Sequence, residues 1–190
     1  MKIKTLFVVV LLIFVCVDVQ AQNRRKSKEV LDVDLLMPGD TVKNLVIRDL
    51  LGNPTSLPYW GEKNILIFYV DPDAYLNGND TADFAAEIEE NKRAAGPAIE
   101  GFGILDFPDT WLPKELLRKI CYKRTERNGA IIIEDSQHLV KNQWRLGDCN
   151  GKFLLILIKK DGTVGYIRRE PMDDAGKVEF YNMIKNYTHE

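Results

Sequence analysis

The chain has 190 residues, of which 45% are apolar and 28% are charged, a composition typical of one globular domain with a hydrophobic core. Its acidic and basic side chains nearly balance, with a formal net charge of −2 at pH 7. No basic face with interleaved aromatic residues is present in the sequence, which argues against a nucleic-acid-binding protein.

The N-terminal segment has the pattern of a secretory signal. Two lysines precede an apolar run over 6–17, and Val19 and Ala21 supply the small residues that signal peptidase prefers. The run covers about 12 residues, whereas a spanning helix needs roughly 20. We therefore predict a signal peptide over 1–21 with cleavage before Gln22, a periplasmic or secreted protein, and no stable membrane span after cleavage.

The rest of the chain divides into a polar leader over 22–36 and one domain over 37–190. Signal removal would leave a net charge near −3. A basic stretch at 24–28 is interpreted as part of a solvated leader rather than as a binding patch. Because positive charge just past an apolar segment disfavours translocation, an uncleaved anchor stays open as the alternative.

The domain is predicted to alternate strands and helices. In chain order, the predicted elements are strands at 45–50, 55–57 and 65–70, a helix from 80 to 96, a strand at 99–105, a helix from 113 to 128, a strand at 130–133, a helical turn at 138–144, strands at 153–158 and 163–168, and a helix after Asp173 or Asp174. A continuous apolar run such as 65–70 is typical of a central strand covered on both faces. This order indicates an α/β protein with helices on both faces of a central mixed sheet.

The element order resembles the redoxin variant of the thioredoxin-like fold, a three-layer sandwich in which an N-terminal hairpin precedes the remaining units. The C-terminal part resembles, more narrowly, the YtfJ-like family of exported bacterial proteins. The stretches that carry this second resemblance are 99–109, 111–121, 130–135, 144–146 and 155–162. The resemblance covers roughly residues 37–187 and implies a fold and a periplasmic location, but no assigned reaction.

The position where an active thioredoxin carries its Cys-x-x-Cys pair lacks cysteine. When the strand at 65–70 is aligned with the first central strand of a thioredoxin, the two cysteine positions hold Asp73 and Leu76. The cysteine of a peroxiredoxin would fall near Asn77. No residue between 65 and 98 is a cysteine. The cis-proline expected before the penultimate strand is also missing, with Lys152-Phe153 in its place. Since the nucleophile of this chemistry is a thiolate at a helix start, thiol catalysis at the usual site is excluded.

Two cysteines remain after signal removal, Cys121 and Cys149. An even pair in an oxidising compartment makes a disulfide possible, and a thiol–disulfide redox protein that uses this pair is the first alternative function. Cys121 falls on the apolar stripe of a predicted helix with Leu116, Leu117 and Ile120, a position typical of a buried free cysteine. The sequence leaves both interpretations open.

Acidic side chains follow two strands that are predicted to be neighbours. Asp71 and Asp73 come after one strand, and Asp106 and Asp109 come after the other. Ligands of open α/β sheets bind beyond the carboxyl ends of the strands, so we predict that these four aspartates line any ligand site. Convergent carboxylates suit a hard cation such as Ca²⁺ or Mg²⁺, but the sequence shows no complete ligand set. The alternative interpretation is that these residues cap helices and initiate turns.

An apolar strand followed by Asp71-Pro72-Asp73 also resembles the nucleophile loop of haloacid-dehalogenase-like phosphatases. There the first aspartate attacks phosphate and the second protonates the leaving group. A divalent-metal-dependent phosphohydrolase that uses Asp71 and Asp73 is therefore the second alternative function. Against it, the acidic pair at 173–174 precedes a predicted helix instead of ending a buried strand.

The sequence favours a non-catalytic binding or accessory module of the bacterial periplasm, built on a thioredoxin-like domain without the redox cysteine motif. His138 and His189 are isolated in the sequence, which predicts neither a zinc site nor a Ser-His-Asp triad. We predict no cofactor, leave the identity of any metal open, and expect a cell-envelope protein or peptide as the partner.

Overall fold

A computed structural model describes residues 34–76, 87, 98–170 and 172–187. The chain divides into two units, Met1–Leu35 and Leu36–Glu190. The predicted signal peptide, most of the polar leader and nearly all of the helix predicted from 80 to 96 lie outside the described residues. Within them, no helix has the length and apolar character that crossing a membrane requires.

A mixed sheet of seven strands forms the centre of the second unit. The strands are β1 (Val46–Asp49), β2 (Pro54–Ser56), β3 (Asn64–Val70), β4 (Ile99–Asp106), β5 (Ile132–Asp135), β6 (Phe153–Ile158) and β7 (Val164–Arg168). Their order across the sheet is β2-β1-β5-β4-β3-β6-β7. The central strands β5, β4 and β3 are parallel, and antiparallel pairing joins β1 to β2 and β5, and β6 to β3 and β7. The predicted mixed sheet with an N-terminal hairpin is confirmed.

The described helices are α1 (Pro72–Leu76), α2 (Lys114–Asn128), α3 (Leu139–Gln143) and α4 (Asp174–Lys185). The sequence predicts a polar loop where α1 lies. This short helix begins at Pro72, a residue favoured at the first helical position, and Asp71 caps it by accepting the backbone N–H of Asp73 at 2.8 Å. Asp173 caps α4 by accepting the backbone N–H of Gly176 at 2.8 Å, as one of the two predicted caps.

The continuous apolar run of β3 is buried on both faces, as predicted. Ile65 and Ile67 belong to one buried cluster, which includes Trp144. Leu66, which points to the opposite face, belongs to a second cluster with Phe180 of α4. Burying each of these side chains stabilises the fold by about 2 kcal/mol, so β3 contributes to two layers of core at once.

Strand β5 lies two residues later than predicted and ends in two buried acids. The sequence suggests a stop at Glu134, because an acid rarely lies in a buried strand. Here Arg118 of α2 donates two hydrogen bonds to the Glu134 carboxylate, from Nε and Nη2, both at 2.9 Å. Asp135 accepts several hydrogen bonds that are described below. Both charges therefore have partners, which allows the strand to continue to the edge of the sheet.

The apolar stripe predicted on α2 is only partly buried. Leu117 and Cys121 form a small buried cluster with Phe107. Leu116 and Ile120 are 46% and 40% exposed, so the prediction that they share the buried stripe is wrong. Leu117 and Cys121, four positions apart, lie on the face that packs against Phe107, whereas Leu116 and Ile120 lie on a more exposed side of the helix.

The segment before β1 is attached to the turn between β6 and β7. The backbone N–H of Val42 donates to the carbonyl of Gly162 at 2.9 Å, and Thr41 pairs with Thr163 in an isolated bridge. Gly162 has a φ of 83°, and a Cβ added there would lie 2.9 Å from the carbonyl oxygen of Val42. Both the left-handed backbone and the close approach require glycine.

The substitution Gly162→Ala is expected to lower the free energy of unfolding by about 2 to 4 kcal/mol, because it adds a backbone clash to a left-handed conformation. Gly129→Ala is the matched control, since Gly129 has a φ of 70° but open space around the added Cβ. It should lose only about 1 kcal/mol. Urea unfolding followed by tryptophan fluorescence measures both losses, and equal values would contradict the close approach.

Candidate functional site

Three buried aspartates lie at the carboxyl ends of the three parallel strands. Asp71 follows β3, Asp106 ends β4 and Asp135 ends β5, and each is at most 1% exposed. Strands β3 and β4 pair in parallel, and Asp106 is in register with Asp135. This edge of the sheet is where open α/β proteins bind ligands, and it is the candidate site. The binding role of Asp71, Asp73, Asp106 and Asp109 stays a prediction.

Asp71 has both carboxylate oxygens engaged by the backbone. Oδ1 accepts the N–H of Asp73 at the start of α1, and Oδ2 accepts the N–H of Gly151 in the turn before β6. These bonds fix the end of β3 relative to two neighbouring segments. A carboxylate that is fully buried and bonded in this way is poorly placed to act as a nucleophile or as a metal ligand.

Asp73 lies in the first turn of α1, and its carboxylate holds a loop. Oδ1 accepts the hydroxyl of Thr110 at 2.6 Å, and Oδ2 accepts the backbone N–H of Trp111 at 3.4 Å. The loop that follows β4 is thereby attached to α1. The side chain of Trp111 is 73% exposed at this point of the surface.

Asp135 fixes the start of α3 against the sheet. Its carboxylate accepts the phenol of Tyr69 in β3 at 3.1 Å. It also accepts the backbone N–H groups of Leu139, Val140 and Lys141, at 2.5 to 3.1 Å. Burial, together with the negative charge of Asp135, raises the pKa of Tyr69, which keeps the phenol protonated as a donor. The first turn of α3 therefore has one defined position relative to β3 and β5.

His138 and Lys141 carry their side chains to the acids that follow β4. Nε2 of His138 lies 2.9 Å from Oδ1 of Asp106 and 2.9 Å from Oδ1 of Asp109. Nζ of Lys141 lies 2.6 Å from Oδ2 of Asp109 and 3.4 Å from Oδ2 of Asp106. We call these four residues the Asp106–His138 cluster. The prediction that His138 is isolated is wrong. Its partners Asp106 and Asp109 are close in space but lie 29 or more positions away along the chain.

The pKa values of the two acids in the Asp106–His138 cluster are shifted in opposite directions. Burial raises the pKa of Asp106 to about 6, and the charge of Asp109 acts in the same direction against the attraction of Lys141 and His138. Burial would also raise the pKa of Asp109, but the hydrogen bond and charge of Lys141 outweigh it and hold that pKa below its usual value. Asp109 is the ionised partner of Lys141, and Asp106 is the acid with the less favourable environment for charge.

One carboxylate oxygen of the cluster lacks a hydrogen bond. Oδ1 of Asp106 is buried and accepts no hydrogen bond from the residues that the structure describes. Nε2 of His138 lies 2.9 Å away, but a single N–H can point to only one acceptor, and its geometry favours Asp109. A buried acceptor without a donor costs about 1 to 3 kcal/mol, so this oxygen distinguishes Asp106 from Asp71 and Asp135.

The backbone of His138 has an unusual conformation. Its φ of 54° lies in the left-handed region, which residues other than glycine rarely adopt. The backbone N–H groups of the three residues that follow His138 donate hydrogen bonds to Asp135, which hold this conformation in place. Backbone strain of this kind is found preferentially at functional sites, where the surrounding structure maintains it.

Cys121 and Cys149 are free, buried thiols in the structure. Cys121 packs in the small cluster of α2, and Cys149 belongs to the main core cluster. Burial raises the pKa of Cys121 to about 11 and that of Cys149 to about 12. A reactive cysteine is accessible and has a lowered pKa, and these two thiols have the opposite properties.

No model of a known protein family and no curated protein matches this sequence. Solved structures do match. A putative protein disulfide isomerase from Bacteroides thetaiotaomicron has a TM-score of 0.58 at 14% identity, over 82% of this chain and 92% of that chain. Peroxidoxin BcpB from Mycobacterium tuberculosis has a TM-score of 0.53 at 19% identity, over 80% and 98%.

The exposed lipoprotein thioredoxin of Streptococcus pneumoniae has a TM-score of 0.51 at 10% identity, over 74% of this chain and 98% of that chain. At such low identities the three similarities establish architecture and not activity. Together with the sheet order and the flanking helices, they show that the second unit has the thioredoxin-like fold.

Proposed function

We propose that this protein is an exported binding or accessory module that uses the thioredoxin-like fold without thiol–disulfide chemistry. The observation that carries the proposal is the helix start after β3, which holds Asp73 and no cysteine. Its carboxylate accepts hydrogen bonds from Thr110 and Trp111, so it holds a loop and offers no nucleophile of the redox type. The buried thiols of Cys121 and Cys149 provide no substitute.

The geometry favours neither of the two alternative functions. A redox protein that uses Cys121 and Cys149 requires the two thiols to meet, and they pack in separate clusters. A phosphohydrolase requires a free nucleophile at Asp71, and this carboxylate is buried with both oxygens bonded to backbone N–H groups. Either function would need a rearrangement of the core.

The partner in this proposal is a cell-envelope protein or peptide. Three large apolar side chains are exposed on the segment 111–120, which begins beside Asp73. Trp111 is 73% exposed, and Leu116 and Ile120 on one face of α2 are 46% and 40% exposed. Exposed apolar groups next to a candidate site, tryptophan above all, are typical of surfaces that bind proteins.

Export is supported by the apolar N-terminal segment and the small residues that follow it. One of the similar structures, the thioredoxin of Streptococcus pneumoniae, is itself described as an exposed lipoprotein. We include membership of the YtfJ-like family in this proposal, because it would be consistent with both the fold and the location.

The two thiols are expected to be unreactive in the native protein. A pKa raised from 9.0 to about 11 lowers the thiolate fraction of Cys121 about 100-fold at neutral pH, and Cys149 should react more slowly still. Reaction with Ellman's reagent, before and after denaturation, measures this difference. The protein should also fail to accelerate the reduction of insulin by dithiothreitol.

Asp73→Cys is the positive control, because it places a thiol in a half-buried position at the start of α1. This variant should react faster than either native thiol. Fast modification of the native protein, or insulin reduction above the uncatalysed rate, would contradict the proposal.

Cleavage of the signal is expected to give an exported chain that begins at Gln22. Expression in a bacterial host followed by intact-mass measurement of the exported fraction tests this expectation. Ala21→Phe should block cleavage because signal peptidase requires a small residue there, whereas Gln20→Phe, at the neighbouring position, should still be cleaved. Recovery of an uncleaved chain in the membrane fraction would instead support the anchor alternative.

A further inference from the structure

Three side chains with atoms that bind metals converge between β4 and α3. One ligand atom from each of Asp106, Asp109 and His138 lies within 4.8 Å of the other two. The distances from Nε2 of His138 to the two Oδ1 atoms are both 2.9 Å. With bonds of about 2.1 Å, adjacent ligand atoms are separated by about 3.0 Å in an octahedral site and by about 3.4 Å in a tetrahedral one. The two spacings that involve His138 are thus close to those of a loaded site.

The unsatisfied oxygen of Asp106 is a second, independent indication of a ligand. Oδ1 of Asp106 is fully buried, faces Nε2 of His138 and accepts no hydrogen bond from the described part of the chain. A cation between the three ligand atoms would satisfy this oxygen directly. Both carboxylate oxygens of Asp71 and of Asp135 already have donors and need no such partner.

The imidazole of His138 fits the same arrangement. A neutral histidine that carries its proton on Nδ1 has a lone pair on Nε2, which is the form that binds metals. In this cluster the lone pair would face two carboxylate oxygens at 2.9 Å. That arrangement is repulsive when the space between the atoms is empty and favourable when a cation occupies it.

Lys141 orients both carboxylates toward His138. Its ammonium group contacts Oδ2 of Asp109 and Oδ2 of Asp106, so the two Oδ1 atoms remain on the side of the imidazole. Partners of this kind behind the ligands fix their orientation in metal sites. The charge of Lys141 offsets one carboxylate, and two ionised carboxylates with one ammonium group still attract a cation.

The ligands are also preorganised by the backbone. Asp106 is the last residue of a buried strand, and His138 is held by the Asp135 hydrogen bonds to the first turn of α3. The loop that contains Asp109 is attached to α1 through Thr110 and Asp73. Binding an ion would therefore order few additional groups.

From these observations we propose that Asp106, Asp109 and His138 bind a divalent transition-metal ion such as Zn²⁺ or Mn²⁺. One imidazole and two carboxylates suit these ions, whereas Ca²⁺ and Mg²⁺ prefer oxygen ligands alone. Three protein ligands leave coordination positions open for water or a further ligand. Asp71 and Asp73 are not ligands in this site. The proposal is independent of the proposed function, because it requires neither export nor a protein partner.

Thermal unfolding of the purified protein tests the proposal. After treatment with EDTA and its removal, melting is recorded with Zn²⁺, Mn²⁺, Mg²⁺ and Ca²⁺ added separately. Zn²⁺ or Mn²⁺ at about 100 times its dissociation constant should raise the melting temperature by about 5 to 10 °C, with smaller shifts from Mg²⁺ and Ca²⁺. Titration calorimetry should give one ion per chain.

Two variants remove single ligands with little change of shape. His138→Asn removes the imidazole, and asparagine tolerates the left-handed backbone of this position. Asp109→Asn removes one ligand charge in a side chain of the same size. Each is expected to weaken binding at least tenfold, whereas the controls His189→Asn and Asp161→Asn should bind as the unaltered protein does.

Circular dichroism in EDTA establishes that each variant folds, and if one of them does not, the other decides the test. The proposal is overturned if Zn²⁺ and Mn²⁺ at millimolar concentration neither bind nor raise the melting temperature. It is also overturned if the folded His138→Asn or Asp109→Asn variant binds the ion with unchanged affinity, or if Ca²⁺ stabilises the protein as strongly as Zn²⁺ and Mn²⁺.

Discussion

The buried carboxylate of Asp135 connects the sheet to the candidate site, and the geometry of the site depends on it. It accepts one hydrogen bond from Tyr69 in β3 and three from the backbone at the start of α3. Removing these donors would leave a charge in the core at a cost of several kcal/mol, so the path of the chain from 135 to 141 is tightly constrained. The positions of His138 and Lys141 follow from that path.

Three aspartates at the ends of three parallel strands share a residue type and differ in environment. Asp71 and Asp135 have donors for both oxygens, and their role is to hold turns and helix starts. Asp106 ends β4 with one oxygen that no described donor satisfies. The interpretation of these acids as caps and turn formers therefore applies to two of the three. A candidate ligand site is left beside the third, where His138 contributes a ligand of a different type.

Sequence patterns predict the fold better than the site, for physical reasons. Strands β3 and β6 are continuous apolar runs because both of their faces are buried, and such runs are visible without a structure. The partners of His138 are 29 or more positions away, and only the parallel register of β4 and β5 brings Asp106 beside it. One signal in the sequence could have indicated this contact. Asp106 ends β4 and His138 comes shortly after β5, so two parallel strands place both residues at the same edge of the sheet.

The carboxylate of Asp73 and the geometry of Asp109 are physically connected. A thiol at position 73 could not accept the strong hydrogen bond that Asp73 receives from Thr110, the residue next to Asp109. The loop after β4 is held by Asp73 on one side and by Lys141 on the other, so Asp109 lies between two fixed anchors. The aspartate at the start of α1 thus supplies an anchor for the loop whose carboxylate faces His138.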